Sequence, residues 1–287
     1  MIPKIIHYCW FGGKQLPDEY KKNIASWRKY CPEYEIREWN ESNFDVNCCA
    51  YIKEAYKAKK WAFVSDYARF WILYKYGGIY FDTDVEMIKP IDGLISKGGF
   101  VGTEIETENG LGLAVAPGLG MAANPGLGMA ANPGLGMAAN PGLGLFAELL
   151  DVYNDTHFIN QDGSINKTNV VEYMTNQLYI HGYIANNNIQ KICGIYVYPP
   201  EYFAPMNQFT GEIKITDNTY TIHHYSGSWL DWENILYHKV NRNLKDKTIL
   251  NLLWNFISLP LRIEGKIRVF GLRNTLSMIK KRIFIGK

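Results

Sequence analysis

Cysteine is scarce in this sequence of 287 residues, and its spacing follows no paired pattern. The five cysteines include no Cys-x-x-Cys pair, and their number is odd. The adjacent Cys48 and Cys49 are poorly placed to bridge each other. Neither feature is expected of a disulfide framework. We therefore expect free thiols in a reducing compartment, which predicts a cytoplasmic protein.

Long apolar runs are also lacking. The first residues, MIPKIIHYCWFGG, do not contain the extended apolar core of a signal peptide, and we interpret them as a strand. Near the other end, TILNLLWNFISLPL (248–261) is too short for a transmembrane span and is interrupted by Asn251 and Asn255. The sequence therefore predicts no helix that crosses a membrane.

Positive charge is concentrated at the carboxyl end of the chain. The net charge is +2, but residues 239–287 carry twelve Lys or Arg against two acidic residues, which leaves residues 1–238 acidic. Apolar residues beside Lys and Arg favour the interface of an anionic membrane over nucleic acid, with residues 244–287 as the contact. The alternative is a carboxyl-terminal helix that docks on the body with its basic face in solvent.

Strand and helix patterns alternate along the first hundred residues. Gly77 follows the last helical turn, where a glycine commonly ends a helix. This order predicts an α/β domain with a single mixed, mostly parallel sheet flanked by helices, in which ligands bind at the carboxyl ends of strands. The predicted elements are strands at 4–11, 34–40, 78–88 and 99–106, a helix at 18–31, and two helices within 50–76 that break near Trp61.

An octapeptide repeat interrupts this order. PGLGMAAN occurs three times in tandem from Pro117, and a partial copy follows at Pro141. Eight residues are too few for known helical or propeller repeats, so we interpret residues 117–144 as a loop expanded by duplication. A lid hinged at glycines is the functional alternative. After the repeat we expect a helix with Asn140 as its N-cap.

Acidic residues follow the apolar start of the strand predicted at 78–88. In a strand, Asp82 and Asp84 would point to the same face. Two converging carboxylates need a cation or several donors to offset their repulsion. In the preceding helix, Asp66 and Arg69 are three residues apart and share a face. The surrounding residues are apolar, so we expect more than a surface ion pair, and a guanidinium suits phosphate.

A hard divalent cation best explains Asp82 and Asp84. Oxygen ligands favour Mg²⁺ or Mn²⁺, which keep coordination positions open for substrate phosphates. An imidazole ligand would shift the preference toward Mn²⁺, and IHHYSGSW (222–229) supplies His223 and His224. Neighbouring residues of a strand face opposite ways, so at most one of them is expected at the metal; a core or supporting histidine is the alternative for each.

Three segments together resemble family 32 of the retaining glycosyltransferases, a sugar-transferase group with a DxD motif. They are IPKIIHYCWFGGKQLPD (2–18), WAFVSDYARFWILYKYGGIYFDTDVEMIKPI (61–91) and IHHYSGSW (222–229). The chain resembles the glucosylating toxins of clostridia more distantly. The resemblance covers residues 1 to about 105 and 196–232, and it implies a GT-A-type nucleotide-sugar-binding fold.

The resemblance also implies roles for five residues at the donor. Trp10 would stack on the nucleotide base. Asp66 and Arg69 would hold the hydroxyls of the donor sugar, with Arg69 near the phosphates. Tyr80 would touch the diphosphate, and Asp82 would contact ribose and sugar directly or through the metal.

Four further residues are implied at the metal and the leaving group. Asp84 would ligate the metal. The H-x-x-G spacing of related enzymes favours His224 over His223 as the metal-binding histidine. Ser228 and Trp229 would close over the diphosphate and the glycosidic oxygen.

The function implied is Mn²⁺- or Mg²⁺-dependent transfer of a hexosyl or N-acetylhexosaminyl group from a nucleotide-diphosphate sugar, with a UDP-sugar favoured. The acceptor would be a hydroxyl of a glycan or lipid-linked glycan, as in bacterial surface or capsular polysaccharide synthesis. The sequence indicates no second carboxylate as a nucleophile, so we expect front-face substitution.

The catalytic domain would span residues 1–238, followed by the basic amphipathic segment 239–287, which would bring the protein to the inner face of the membrane. Two alternatives remain open. One is a nucleotide-sugar-binding protein whose catalysis the repeat has impaired, and the other is a metal-dependent phosphohydrolase.

Overall fold

A mixed β-sheet with helices packed against it forms the centre of the structure, a computed structural model that describes residues 1–106, 128–166, 168–208 and 210–226. All the elements named here belong to one unit, residues 1–206 and 213–225. The helices are α1 (Asp18–Tyr30), α2 (Ala50–Lys57), α3 (Trp61–Tyr76), α4 (Asp92–Ile95), α5 (Gly144–Asn154) and α6 (Val170–Ile180). The strands are β1 (Ile5–Cys9), β2 (Glu35–Trp39), β3 (Gly78–Tyr80), β4 (Val85–Met87), β5 (Gly99–Glu106), β6 (Gly128–Ala131), β7 (Met137–Ala139), β8 (Gln190–Ile192), β9 (Ile195–Tyr198) and β10 (Thr221–His223).

The strands of the main sheet run in the order β2-β1-β3-β7-β5-β9-β8, and β6 pairs with β5 outside this path. β1 is parallel to β2 and β3, and β5 is parallel to β9. β7 runs antiparallel between β3 and β5, so β1, β2, β3, β5 and β9 all point the same way. The predicted α/β class with a mixed, mostly parallel sheet is confirmed. A second sheet, in which β4 and β10 are antiparallel, was not predicted.

Both faces of the main sheet are buried at its centre. Along β7, Met137 and Ala139 belong to the apolar cluster that contains residues of α2, α3, α5 and α6, while Ala138 belongs to the cluster that contains residues of α1. Successive strand residues point to opposite faces, so the two clusters lie on opposite sides of the sheet. The carboxyl ends of β1, β3 and β5 lie at one edge of this layer, and the chain leaves the sheet there.

The helix boundaries agree well with the sequence pattern. The predicted break near Trp61 is confirmed, since α2 ends at Lys57 and α3 begins at Trp61. Gly77 follows α3 with a φ of +63°, and its N–H donates to the carbonyl of Leu73. A side chain in this left-handed region would be strained, so a glycine is needed to turn the chain from α3 into β3.

The strand predicted at 78–88 is wrong as a single element. β3 ends at Tyr80, residues 81–84 form a turn, and β4 begins at Val85 in the other sheet. Asp82 and Asp84 therefore do not share a strand face, and their positions follow from the turn. Phe81, Thr83 and Val85 are residue types common in strands and occupy every second position, which is why the pattern does not reveal the turn.

The loop predicted at 117–144 is also wrong where the structure describes it. The GMAA of the second octapeptide forms β6, and the MAA of the third forms β7 at the centre of the main sheet. Met and Ala are small or flexible enough to be buried on both faces of a central strand. The predicted N-cap at Asn140 is wrong as well, because α5 begins at Gly144 after Leu143.

Two further expectations concern cysteines and membrane spans. All five cysteines are free thiols, as predicted. Within the described residues, no helix has both the length and the apolar character needed to cross a membrane. The proposed boundary at residue 238 and the basic segment 239–287 lie outside the described residues.

Candidate active site

A buried ion pair on α3 forms the floor of the site. Arg69 Nη2 lies 2.9 Å from Asp66 Oδ1, and the two side chains are only 4% and 9% exposed. Arg69 Nε–H also donates to the carbonyl of Ser65 at 3.1 Å. Burying two charges costs free energy that a surface pair does not. The predicted contact between Asp66 and Arg69 is present, and it is not a surface ion pair.

Asp82 connects this pair to solvent. Arg69 Nη2 lies 3.3 Å from Asp82 Oδ1, and the Asp82 side chain is 31% exposed. The hydroxyl of Tyr80 donates to the same oxygen at 3.0 Å, and the guanidinium of Arg69 lies over the Tyr80 ring at 5.0 Å. One cation is therefore shared between a buried carboxylate and an accessible one.

Burial and mutual contact shift the pKa values in this cluster. Burial raises the pKa of Asp66 to about 7, although the guanidinium of Arg69 opposes the shift. Burial also works against the charge on Arg69, but the carboxylates and Tyr80 outweigh it and raise the pKa of Arg69. Burial raises the pKa of Tyr80 as well. Near neutral pH, Arg69 thus stays a cation and Tyr80 stays a hydrogen-bond donor.

Asp84 has a different partner. Its Oδ1 lies 3.1 Å from His223 Nε2, and both side chains are buried. Burial by itself would lower the pKa of His223, but the charges of Asp84 and Glu104 raise it above the ordinary value for histidine. His223 Nδ1 is buried without a hydrogen-bond partner among the described residues. Pairing of β4 with β10, with His223 opposite Val85, brings the two side chains together.

The two histidines face opposite ways, as expected, and the preference for His224 as the metal-binding histidine stays a prediction. His224 Nε2 bonds to Glu86 Oε2 at 2.9 Å, and its side chain is 37% exposed. His223 is the histidine that faces Asp84. The alternation of side chains along a strand could not show which histidine faces Asp84, because that depends on the register of β10 against β4.

A carboxylate that the sequence did not single out completes the site. Glu104 lies near the carboxyl end of β5 and accepts a hydrogen bond from Asn132 Nδ2 at 3.0 Å. Burial raises its pKa, while His223, Asn132 and Tyr225 oppose the shift. Its place at a strand's carboxyl end was a usable signal, since ligands of open sheets bind at that edge. Asn132 carried no such signal, because it lies inside the repeat.

Comparison with known proteins identifies the segment that carries most of these residues. Residues 17–101, less than a third of the chain, match a family model described as "Glycosyltransferase sugar-binding region containing DXD motif". This segment of the chain is similar to that sugar-binding region. Asp66, Arg69, Asp82 and Asp84 all lie within it.

Individual relatives are also glycosyltransferases. The chain is 31% identical over 111 residues to inositol phosphoceramide mannosyltransferase 1 of Schizosaccharomyces pombe, which is 35% of this chain and 33% of that protein. It is 31% identical over 109 residues to an uncharacterized glycosyltransferase of Acanthamoeba polyphaga mimivirus, covering 35% of this chain and 42% of that one. The matches thus span less than half of either relative.

Among solved structures, the PaToxG glycosyltransferase is similar with a TM-score of 0.41 and 20% identity, over 62% of this chain and 69% of that chain.

The oxygen and nitrogen atoms at this candidate site are compatible with binding of a divalent cation. Among the described residues, no group of three or more His, Cys, Asp and Glu side chains is arranged to hold a metal. Mg²⁺ and similar ions, however, are commonly held by one or two carboxylates together with substrate phosphates. Asp84, with the unpartnered Nδ1 of His223 nearby, and the accessible Asp82 would supply such ligands.

The remaining predicted site residues are placed in part. Trp10 follows β1 directly, and β1 is the parallel neighbour of β3, so Trp10 lies at the same sheet edge as Asp82. Its ring packs edge-on against Tyr20 at 5.6 Å, and its Nε1–H donates to the carbonyl of Lys14. Ser228 and Trp229 lie outside the described residues.

Proposed function

We propose that this protein is a metal-dependent retaining glycosyltransferase, which transfers a hexosyl or N-acetylhexosaminyl group from a nucleotide-diphosphate sugar to a hydroxyl group. The observation that carries the proposal is the sharing of Arg69 between the buried Asp66 and the accessible Asp82, inside a region that matches glycosyltransferases. This arrangement presents to a ligand an oriented carboxylate with a fixed cation directly behind it.

The chemistry requires a diphosphate to leave while positive charge develops on the anomeric carbon. A divalent cation held by Asp84 and Asp82 would neutralise charge on the leaving group. Arg69 and Tyr80 are fixed donors directly behind the accessible Asp82, and preorganised donors lower the barrier because they need not reorient during the reaction. Asp82 would accept hydrogen bonds from ribose and sugar hydroxyls.

Retention of configuration is proposed to proceed by front-face substitution. Glu104 is the carboxylate that the fold adds to the predicted site, and it accepts hydrogen bonds from Asn132 and Tyr225. Donors of this kind lower the nucleophilicity of a carboxylate and suit a supporting role. Mass spectrometry of the protein after rapid quenching of turnover tests this, and a glycosylated Glu or Asp would contradict it.

The donor is proposed to be a UDP-sugar, and the acceptor a glycan or lipid-linked glycan at the inner face of a membrane, as in capsular or other surface polysaccharide assembly. A hydrolysis screen of nucleotide sugars with Mn²⁺ or Mg²⁺ tests enzyme status and names the donor together. Release of the nucleotide diphosphate from one donor, lost on chelation, is the expected result.

Two other outcomes would replace the proposal. Tight Mn²⁺-dependent binding of UDP without turnover of any donor would favour a nucleotide-sugar-binding protein. Hydrolysis of simple phosphate esters at the same site would favour a phosphohydrolase.

A further inference from the structure

The octapeptide repeat supplies a polar residue beside the site. Asn132 ends the second copy, and its side chain is buried. Its Oδ1 accepts a hydrogen bond from the backbone N–H of Gly134 at 2.8 Å, and its Nδ2 donates to Glu104 Oε2 at 3.0 Å. Both ends of the amide are therefore engaged, which fixes its orientation.

The turn that Asn132 closes contacts the accessible aspartate. The backbone N–H of Asp82 donates to the carbonyl of Gly134 at 3.0 Å. A Cβ at Gly134 would overlap Asp82 Oδ2, so the turn also abuts the carboxylate itself. Glu104, Asn132, Gly134 and Asp82 thus form one continuous chain of contacts.

We propose that Asn132 is a positioning residue, which sets the carboxylate of Asp82 by fixing the Gly134 turn. The inference rests on the proposed function, because it assigns a task in that reaction. The side-chain oxygen of Asn132 closes a turn two residues on, as asparagine does in Asx-turns. Glu104 holds the other end of the amide, so the turn cannot rotate away from Asp82 without breaking the partly buried hydrogen bond between Asn132 and Glu104.

The chain contains its own matched control. Asn140 ends the third copy of the octapeptide, but its side chain is exposed. The residues that precede Asn132 and Asn140 are identical over seven positions. Asn132→Ala and Asn140→Ala therefore make the same chemical change in the same local sequence, and they differ in whether the amide is tied to the turn at Asp82.

The experiment measures Mn²⁺-dependent hydrolysis of the donor found by screening. For Asn132→Ala we expect kcat to fall by roughly tenfold or more, since a displacement of about 1 Å can cost about a hundredfold. The KM for the donor should change by less than about threefold, because most of the binding groups stay in place. Asn140→Ala should match the parent protein.

A conservative variant separates positioning from stability. Asn132→Ser keeps an oxygen that can accept from the N–H of Gly134, although it loses the bond to Glu104. We expect it to recover most of the lost kcat. A folded Asn132→Ser protein with the low kcat of Asn132→Ala would overturn the proposal, and it serves the same purpose if Asn132→Ala does not fold.

Because the repeat has several identical copies, the substitution must also be tested in a chain with fewer copies. Asn124 ends the first copy, and a shift of the chain by eight residues would bring it to the place of Asn132 and hide the substitution. A chain that lacks residues 117–124 retains two copies, and the same shift would there bring Ala116 to that place. We expect this two-copy chain to be as active as the parent.

The two-copy chain gives the decisive comparison. Loss of kcat on Asn132→Ala in that background supports the proposal, and an unchanged kcat in a folded protein overturns it. Failure of the proposed function looks different, because the parent protein itself would then turn over no nucleotide sugar, and the positioning role would fall with it.

Discussion

The guanidinium of Arg69 lies 3.3 Å from Asp82 Oδ1, and it holds this partly exposed carboxylate at the mouth of a buried charge cluster. The Arg69 side chain itself is 4% exposed. A ligand at this edge of the sheet would therefore meet Asp82 before it met Arg69. Any change at Arg69 acts on both the stability of the buried pair and the orientation of Asp82.

Replacement of Arg69 tests the buried pair. Arg69→Met leaves Asp66 without its partner in an apolar setting, and the free energy of unfolding should fall by about 3–5 kcal/mol at pH 8. Burial already raises the pKa of Asp66 to about 7, and loss of Arg69 raises it further. The folded variant then binds more protons than the unfolded chain, so its stability falls as pH rises. Urea unfolding at pH 5 and pH 8 checks this.

The control for Arg69→Met is Arg37→Met. Arg37 pairs with Glu35 at 2.8 Å, but these side chains are 33% and 54% exposed. Exposed pairs contribute about 1 kcal/mol or less, so this variant should lose little stability at either pH. An Arg69→Met protein as stable at pH 8 as the Arg37→Met protein would show that the buried pair contributes nothing to folding.

Asp84 is predicted to be the metal-side carboxylate. Asp84→Asn keeps the size of the side chain but removes the charge, and it should lower Mn²⁺-dependent donor hydrolysis by roughly a hundredfold or more. Glu86→Gln is the control, because Glu86 is two residues away, is 41% exposed and bonds to His224. Its activity should stay within about threefold of the parent. Mn²⁺ titration of both variants separates loss of metal affinity from loss of turnover.

The same assay decides between the histidines. If His223 supports the metal site, His223→Ala should resemble Asp84→Asn, and His224→Ala should resemble Glu86→Gln. The reverse order would support His224, the residue that the sequence resemblance favoured, as the metal-side histidine.

How much of this site was predictable depends on the residue. Asp66 and Arg69 could be predicted as site residues, because charged side chains among the apolar residues of α3 are expected to be buried and paired. The separation of Asp82 from Asp84 could not, since Phe81, Thr83 and Val85 are residue types common in strands and only the structure shows a turn between two sheets.

The prediction of a loop for the repeat was wrong for another reason. Three identical octapeptides give no signal for which copy enters the sheet, and the pairing of β7 with β3 and β5 is set by long-range contacts. Asn132 and Gly134 became site residues through that pairing, which no local pattern encodes.

A buried histidine predicts acid sensitivity of the fold. Trp39 Nε1–H donates to His7 Nδ1 at 3.0 Å, so His7 Nε2 carries the proton and donates to the carbonyl of Gly77. Burial lowers the pKa of His7 to about 4. The unfolded chain, with a pKa of about 6.5, binds the extra proton first as pH falls, so stability should drop by roughly 3 kcal/mol between pH 6.5 and 4.

The variant for this prediction is His7→Gln, which can accept from Trp39 and donate to Gly77 but does not titrate. Its stability relative to the parent at pH 7.5 gives the fixed cost of the substitution. The difference in the free energy of unfolding between the two proteins should then shrink toward pH 4.5, as measured by urea unfolding. A difference that stays constant with pH would mean that His7 is not the titrating group.

The basic segment at 244–287 is predicted to bind anionic membranes. Lys and Arg near a membrane surface contribute about 1 kcal/mol each, and Trp254 suits the interface. Deletion of these residues should release the protein from vesicles that contain phosphatidylserine in a sedimentation assay. Neutral phosphatidylcholine vesicles are the control. Equal binding of the full-length and shortened proteins to anionic vesicles would contradict the assignment.

Gly134 is predicted to be required for the space it leaves beside Asp82. Its φ lies outside the left-handed region, so alanine is acceptable to the backbone, but the added Cβ would overlap Asp82 Oδ2. The carboxylate must then move, and we expect donor hydrolysis to fall by roughly a hundredfold, as for a displacement of about 1 Å. The measurement is kcat in the two-copy chain. There, an eight-residue shift that brought Gly126 to the place of Gly134 would also bring Ala116 to the place of Asn132, so the shift could not rebuild the turn.

Gly144→Ala is the matched change for Gly134→Ala. Gly144 lies in the partial fourth copy at the start of α5, and a Cβ there would meet no heavy atom within 4 Å. Alanine also favours the helix, so this variant should keep full activity and gain slightly in stability. If Gly134→Ala is as active as Gly144→Ala, Asp82 tolerates displacement, and the turn built by the repeat does not set its position. If only Gly134→Ala loses turnover while both proteins unfold at similar urea concentrations, the loss follows from crowding at Asp82 rather than from a weakened fold.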